Sequence, residues 1–337
     1  MVTMSKTKTY TPPFTITSAI VSLVAQIGEA VGRLSEATSL RLRRINRIRT
    51  IQGSLAIEGN TLSLEQITAI LDGKHVIAPP REIQEVRNAI VAYERLEQWQ
   101  PWREADLLAA HAAIMAGLLD LPGQYRSGGV GVMAGQDVVH LAPPAQRVPL
   151  LMRDLLQWLE HCDQHPLIAS SVFHYEFEFI HPFADGNGRL GRLWQTLILA
   201  RWNPLFAHIP VESLVYEHQQ EYYQALQKST DQGNSAPFIE FMLHMLLNAA
   251  QGAQLKNRSR AQSDAVLHVL ADKPLSANEL MIRLNLHSKT GAFKRTIKSL
   301  LEQNLIEYTI PDKPNSRLQQ YRLTDKGREL LTLAKLQ

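Results

Sequence analysis

The chain has 337 residues, 45% hydrophobic and 20% charged. That mix excludes a wholly disordered chain and leaves room for two or three domains at roughly 100–200 residues each. Gly (18) and Pro (17) are ordinary in number, which excludes collagen-like and low-complexity architectures. The single cysteine, Cys162, excludes an intramolecular disulfide and a multi-cysteine zinc site, and the net charge of +3 is too small to name a partner.

The first twenty residues hold no apolar core before Pro12 and Pro13, so no secretory leader is read. Apolar runs such as Ala112–Leu119 fall short of the ~18 residues that cross a bilayer. A soluble, cytoplasmic protein without membrane contact is expected. Helical periodicity then dominates. Ile20, Leu23, Val24, Ile27, Val31 and Leu34 recur at three/four spacing within 17–50. Ser63, followed by Glu65 and Gln66, reads as the N-cap of a helix ending at Asp72-Gly73. Further helices are predicted over 81–99 and 104–118. The Gly- and Val-rich stretch from Ser127 to His140 predicts a hairpin turning near 134–137. Helices resume over about 146–161, 166–180, 187–202, 214–229 and 235–252.

Charge shifts toward the C-terminus. Residues 260–337 hold 13 Lys+Arg against 8 Asp+Glu, whereas residues 1–259 hold 22 against 24. Residues 253–262 read as a linker or helix tail. Beyond them, Ser276 and Glu279 mark a helix start, Thr290–Gln303 a further helix, Leu305–Ile310 and Leu318–Leu323 two strands, and Thr324-Asp325 a last helix start. This order resembles the winged helix-turn-helix modules of transcription regulators. Lys289, Lys294, Arg295, Lys298 and Arg317 are candidate DNA contacts, against the plain alternative of a solvated face, and many winged helices bind protein instead.

Residues 181–192 read His-Pro-Phe-Ala-Asp-Gly-Asn-Gly-Arg-Leu-Gly-Arg, between two helical patterns. Gly186 and Gly188 let backbone N–H groups approach a ligand, at a helix N-terminus that favours anions. Arg189 and Arg192, at i and i+3, lie near one another and complete a phosphate cradle. Asp185 offers the hard oxygen a Mg²⁺–phosphate complex requires, and His181 is the side chain suited to proton abstraction near neutral pH. The set points to nucleotide phosphate-transfer chemistry. The competing reading is a helix end with turn formers and solvated arginines.

The segment resembles, at every defining position, the signature of Fic (filamentation induced by cAMP) domain proteins. The resemblance implies transfer of AMP from ATP to a Ser, Thr or Tyr hydroxyl of a protein. It makes His181 the base, Asp185 the Mg²⁺ ligand, and Gly186, Asn187, Gly188 and Arg189 the anion hole for the α- and β-phosphates. Arg192 would hold the γ-phosphate, and Phe183 would be packing. Gly123-Gln124-Tyr125-Arg126, the hairpin and His140–Pro144 are similar to the family's flap, which lays a target segment beside the site. Tyr222 and Tyr223 lie near where family members close over adenine. Ser54-Leu55-Ala56-Ile57-Glu58-Gly59-Asn60 is similar to the family's inhibitory pattern. There Ser54 and Glu58 share a helix face, and the glutamate pairs with the second arginine, here Arg192. Without the resemblance, Gly59 is an ordinary helix C-cap.

A mainly α fold is therefore expected: an N-terminal helical region over 1–100 with the inhibitory helix at about 54–60, a Fic core over 101–252 with one hairpin, and a winged helix over 263–337. The leading function is Mg²⁺-dependent protein adenylyltransfer, inhibited by Glu58. A de-AMPylating enzyme and a DNA-binding regulator with a nucleotide-sensing domain are the alternatives. Self-modification and a homodimer stay open. His161 and His165 read as a helix end rather than a metal pair, His174 as a structural histidine, and the five tryptophans as core or interface.

Overall fold

The computed structural model describes residues 10–34, 40–129, 131–134, 137–286, 291–314 and 316–335. Helices carry the architecture. α1 (Ser18–Gly32) starts where the Thr17 hydroxyl accepts the Ile20 N–H, and it buries Ile20, Leu23, Ile27 and Val31 along one face. α2 (Leu40–Ile57) follows. At Gly53 an added Cβ would lie 2.6 Å from the backbone of Glu212, so only glycine permits the close crossing with the helix that begins at Val211. α3 (Leu64–Leu71) carries a complete capping box between Ser63 and Gln66. α4 (Pro80–Glu94) opens on a proline, whose missing N–H is harmless in a first turn.

α5 (Glu104–Ile114) stops four residues before the predicted end at 118. Asn88 of α4 donates to the Ile114 and Ala116 carbonyls at 2.9 and 2.8 Å, and Gly117 takes a φ of 69°. β1 (Gly131–Ala134) and β2 (Asp137–Leu141) form the antiparallel hairpin, with an irregularity between Val132 and Met133. Its turn residues 135 and 136 lie outside the described residues.

α6 (Val148–His161) leads to α7 (Pro166–Ile180) and α8 (Asn187–Trp202). Every residue of α7 from Leu167 to Phe177 is buried, the mark of a helix surrounded by others. α8 packs along it and stacks Trp194 on Trp99 at 6.2 Å, inside the core. The helix predicted over 214–229 is two, α9 (Val211–Glu217) and α10 (Gln219–Gln232), because His218 leaves the helical region at φ −115° and ψ 35°. α11 (Ala236–Leu270) runs unbroken for 35 residues, and residues 253–262 lie within it.

The chain divides into two compact units, residues 1–251 and 252–337. In the second unit, α12 (Ala277–Arg283) has a Ser276–Glu279 capping box. α13 (Gly291–Glu302) buries Phe293, Ile297 and Leu300 and exposes Lys294, Arg295 and Lys298. β3 (Ile306–Tyr308) and β4 (Tyr321–Leu323) pair antiparallel, with Leu275 bonded to Tyr321 beside them, and α14 (Asp325–Lys335) follows. The unit has its own core, including Val266, Leu280, Phe293 and Leu323. Lys289 lies outside the described residues. Among the described residues, no helix is long and apolar enough to cross a membrane.

Candidate active site

The loop between α7 and α8 holds the twelve-residue motif, and its own side chains shape it. His181 closes α7 in the left-handed region at φ 48°, its N–H bonded to the Phe177 carbonyl at 2.9 Å. Asn187 locks the loop: its Oδ1 accepts the Phe183 N–H and its Nδ2 donates to the Phe183 carbonyl, both at 2.9 Å. The Asn187 side chain thereby braces the loop, while its backbone N–H lies in the first turn of α8. Gly186 has a φ of 85°, and a Cβ there would lie 2.6 Å from Met115 Sδ. The first intrahelical bond of α8 runs from Leu190 N–H to Gly186 O, so the N–H groups of Asn187, Gly188 and Arg189 belong to the unsatisfied first turn.

Asp185 is the loop's half-buried carboxylate, its side chain 38% accessible. Its Oδ1 accepts from Arg189 at 2.9 Å and its Oδ2 from Arg81 at 3.1 Å. Arg189 also lies 3.3 Å from Glu85, which accepts from the Asn60 side chain at 2.9 Å. Arg81 and Glu85, one turn apart on α4, thus join the end of α2 to the motif loop. One accessible carboxylate suits Mg²⁺, which keeps most of its waters and takes phosphate oxygens. Among the described residues no cluster of three or more His, Cys, Asp or Glu forms.

Ser54, Glu58 and Arg192 come together. Arg192, 3% exposed, donates from Nε to Ser54 Oγ at 3.2 Å and from Nη2 to the Ser54 carbonyl at 2.9 Å and Glu58 Oε1 at 2.6 Å. Burial pulls the Arg192 pKa down, but the Glu58 carboxylate and its neighbours outweigh burial and leave it above the ordinary value. Glu58 follows the last turn of α2, and Gly59 at φ 90° turns the chain away. The Glu58 carboxylate also covers Gly188, where a Cβ would run into Glu58 Oε1. An anionic side chain thus sits over the first turn of α8.

Two residues without a role in the motif hold it in place. His111, fully buried, accepts the Gly123 N–H at Nδ1 (2.8 Å) and so donates from Nε2 to the Asp185 carbonyl at 2.9 Å. Burial lowers its pKa, and its neutral ring stacks on Phe183 at 3.7 Å. Arg126 donates to the carbonyls of His181 (2.7 Å), Gly128 (2.8 Å), Pro143 (2.5 Å) and Ile180 (3.3 Å). It ties both stems of the hairpin to the motif loop. Their partners in the motif loop lie far away in the chain, 74 positions for His111 and 55 for Arg126, so the sequence did not single out His111 and marked Arg126 only as part of the flap-like segment.

Other candidates separate from the site. Tyr222 is buried, 2% exposed, and engages His174, so it belongs to the core; Tyr223 is 39% exposed. His165 caps α7 and His161 bonds to the Gln157 carbonyl. His174 is fully buried between Gln195 and Tyr222, and its pKa falls to about 3 chiefly through burial.

Residues 101–199 match the model of the Fic/DOC family, and residues 261–324 match the model described as Filamentation induced by cAMP protein Fic-like, C-terminal domain. The crystal structure of a Fic family protein from Desulfovibrio desulfuricans G20 is 54% identical, with 94% of this chain and 99% of that one covered and a TM-score of 0.74. The chain belongs to the Fic family. It is similar to Protein adenylyltransferase Fic of Nematostella vectensis, 29% identical over 57% of this chain and 45% of that one. It is also similar to the protein of that name in Drosophila erecta, 30% identical over 62% and 42%. The chain spans less than half the length of these curated relatives.

Proposed function

We propose that the chain is a Mg²⁺-dependent protein adenylyltransferase held in check by Glu58. The observation that carries this reading is the folded motif loop. It places unsatisfied first-turn N–H groups, two buried guanidinium groups and an accessible carboxylate at one end of α8, with His181 at the other end of the same loop. The relatives named adenylyltransferases support it.

In this scheme the N–H groups of Asn187, Gly188 and Arg189 hold phosphate oxygens, and Arg189 and Arg192 neutralise their charge. His181 takes the proton of a target Ser, Thr or Tyr hydroxyl as that oxygen attacks the α-phosphorus; the bond to the β-phosphate bridge oxygen breaks, and pyrophosphate leaves. Mg²⁺ on Asp185, when bound, offsets the negative charge of the phosphates. The hairpin offers a strand edge to an extended target segment. Glu58 inhibits twice over: it occupies Arg192 and covers Gly188.

Intact-mass measurement after incubation with ATP and Mg²⁺ tests the reading. An added AMP on the chain or on a protein of a cell extract is expected, and His181→Ala is expected to abolish it while ATP still binds. No adduct with either the natural chain or Glu58→Gly would overturn it.

The position of Glu58 over the cradle favours a second reading, removal of AMP from a modified target, with the carboxylate orienting water. Loss of AMP release in Glu58→Gly would move that reading ahead. In the second unit, we read the helix order with its two-stranded ladder as a winged helix. Exposed Lys294, Arg295, Lys298 and Arg317 would meet DNA phosphates. A gel shift unchanged by Lys294→Glu/Arg295→Glu would end the DNA reading. A cytosolic setting fits the single thiol, and light scattering tests the homodimer.

A further inference from the structure

A carboxylate that the transfer scheme leaves unused lies where α7 meets α8. Glu178 is on α7, with a side chain only 12% exposed, and its Oε1 has no hydrogen-bond partner among the described residues. His174 Nε2 is 3.8 Å away and already committed. Since Gln195 Oε1, 2.7 Å from His174 Nδ1, can only accept, the proton is on Nδ1 and Nε2 accepts from the Tyr222 hydroxyl at 3.1 Å. His174 therefore has no proton for Glu178. Gly191 of α8 makes room for the carboxylate, since a Cβ there would lie 2.9 Å from Glu178 Oε1. A glycine inside a helix and a buried carboxyl oxygen without a hydrogen bond are each unfavourable. A leucine or glutamine would fill the same space without the charge, so the charge itself is the feature to explain.

Arg192 directly follows Gly191 on α8. Burial raises the Glu178 pKa to about 7, opposed by Arg192 and reinforced by Glu58. The other titratable groups that feel this pair are Tyr222 and Tyr223 of α10, Glu212 of α9, Tyr93 of α4 and His174 of α7. Glu212 has its Oε1 taken by Thr196 at 2.8 Å and Tyr93 at 3.3 Å, while its Oε2, like Glu178 Oε1, has no hydrogen-bond partner among the described residues. Arg192 is almost fully buried and has one direct carboxylate partner among the described residues, Glu58. A buried guanidinium that loses its only counter-charge is strongly destabilising. On that account alone Glu58 would be locked in place.

We infer that Glu178 is the second counter-charge of Arg192, a positioning residue that compensates the guanidinium when Glu58 withdraws. The inference rests on the reading of Glu58 as a removable inhibitor. Withdrawal of Glu58 ends its repulsion of Glu178, which then gives its proton to solvent more readily and meets the guanidinium from the α7 side. Arg192 stays buried and charged, ready for an incoming phosphate, and the inhibited and released states lie closer in energy.

A double-mutant cycle on thermal unfolding tests this in the full chain. At pH 8, Glu178→Gln alone is expected to leave the midpoint unchanged or raise it, because Glu58 still pairs with Arg192. Glu58→Gly alone is expected to lower it modestly. The double variant should lose at least about 6 °C beyond the sum of the two, and the excess should shrink at pH 5 as Glu178 takes up its proton. Losses that add to within about 1 °C at pH 8, or an excess unchanged at pH 5, would overturn the inference. Should the double variant fail to fold, Arg192→Met added to it is expected to restore folding by removing the stranded charge; a chain that stays unfolded counts against the proposal. The transfer rate of Glu58→Gly is read separately. Its failure to rise would count against inhibition, whereas the stability cycle judges Glu178.

Discussion

Glu58 and Arg192 form the contact on which activity is expected to turn. A charge-assisted arginine–carboxylate hydrogen bond is worth about 1.5–3 kcal/mol, and 1.4 kcal/mol is about a factor of ten. Glu58→Gly is expected to raise AMP transfer by about 10- to 100-fold at saturating ATP, measured with labelled nucleotide. Glu58→Gly/His181→Ala is expected to stay silent, since freeing Arg192 supplies no base. An unchanged rate in folded Glu58→Gly would refute inhibition by this contact. Buried carboxyls set a pH dependence as well. Burial raises Glu176, which accepts from the Tyr10 hydroxyl, and Glu178 to about 7 from an ordinary 4.5. Their folded values exceed their unfolded ones, so their contribution to stability is full below pH 4.5 and is lost as the pH rises through about 7. The unfolding midpoint of the natural chain should fall across that window, and Glu176→Gln and Glu178→Gln should each flatten the fall. A pH series showing equal slopes in all three proteins would contradict the assignment.

Individual elements meet at points where one residue decides the fit. Gly53 is such a point between α2 and α9. Gly53→Ala forces backbone apart and is expected to cost about 1–3 kcal/mol, a midpoint lower by about 2–9 °C in calorimetry. Because α2 carries Ser54 and leads directly into Glu58, the same change should weaken inhibition as well as stability. Arg126 is the corresponding point between the hairpin and the motif loop. Arg126→Ala leaves at least four carbonyl acceptors without their donor. Transfer to a protein target should then fall about tenfold or more while ATP affinity changes little, since the hairpin stems and not the phosphate site lose their staple. Equal losses in both would place Arg126 in the nucleotide site instead. Helix starts were readable locally: Ser63 and Ser276 cap the helices the sequence predicts there. The split at His218 was not, because nothing in the apolar pattern of 214–229 marks it.

At the scale of the molecule, two cores make two units, joined along a helix that runs through the boundary. All the residues assigned to transfer and inhibition lie in the first. A chain ending at Gln251 is expected to keep transfer within about twofold of the full chain, and the full chain should unfold in two calorimetric transitions. One transition, together with a collapse of activity on truncation, would show that the second unit is needed to fold the first.

What the sequence determined by itself is the chemistry of one contiguous segment. Residues 181–192 marked out the loop, the helix after it and the His181, Asp185, Arg189 and Arg192 side chains proposed for transfer, because a loop that opens a helix is local and twelve residues suffice to build it. Helical class and the boundaries of most elements were also local, following from spacing and caps. The tertiary structure alone decided which distant side chains complete the site. Glu58 reaches Arg192 across 134 positions, Glu85 reaches Arg189 across 104, and His111 reaches the Asp185 carbonyl across 74. It also decided that Asn187 spends its side chain on its own loop, and that Glu178 fills the space left by Gly191, the residue before Arg192. Burial and charge pairing are set by what packs against a residue, and no spacing within one helix records the helix that will pack upon it.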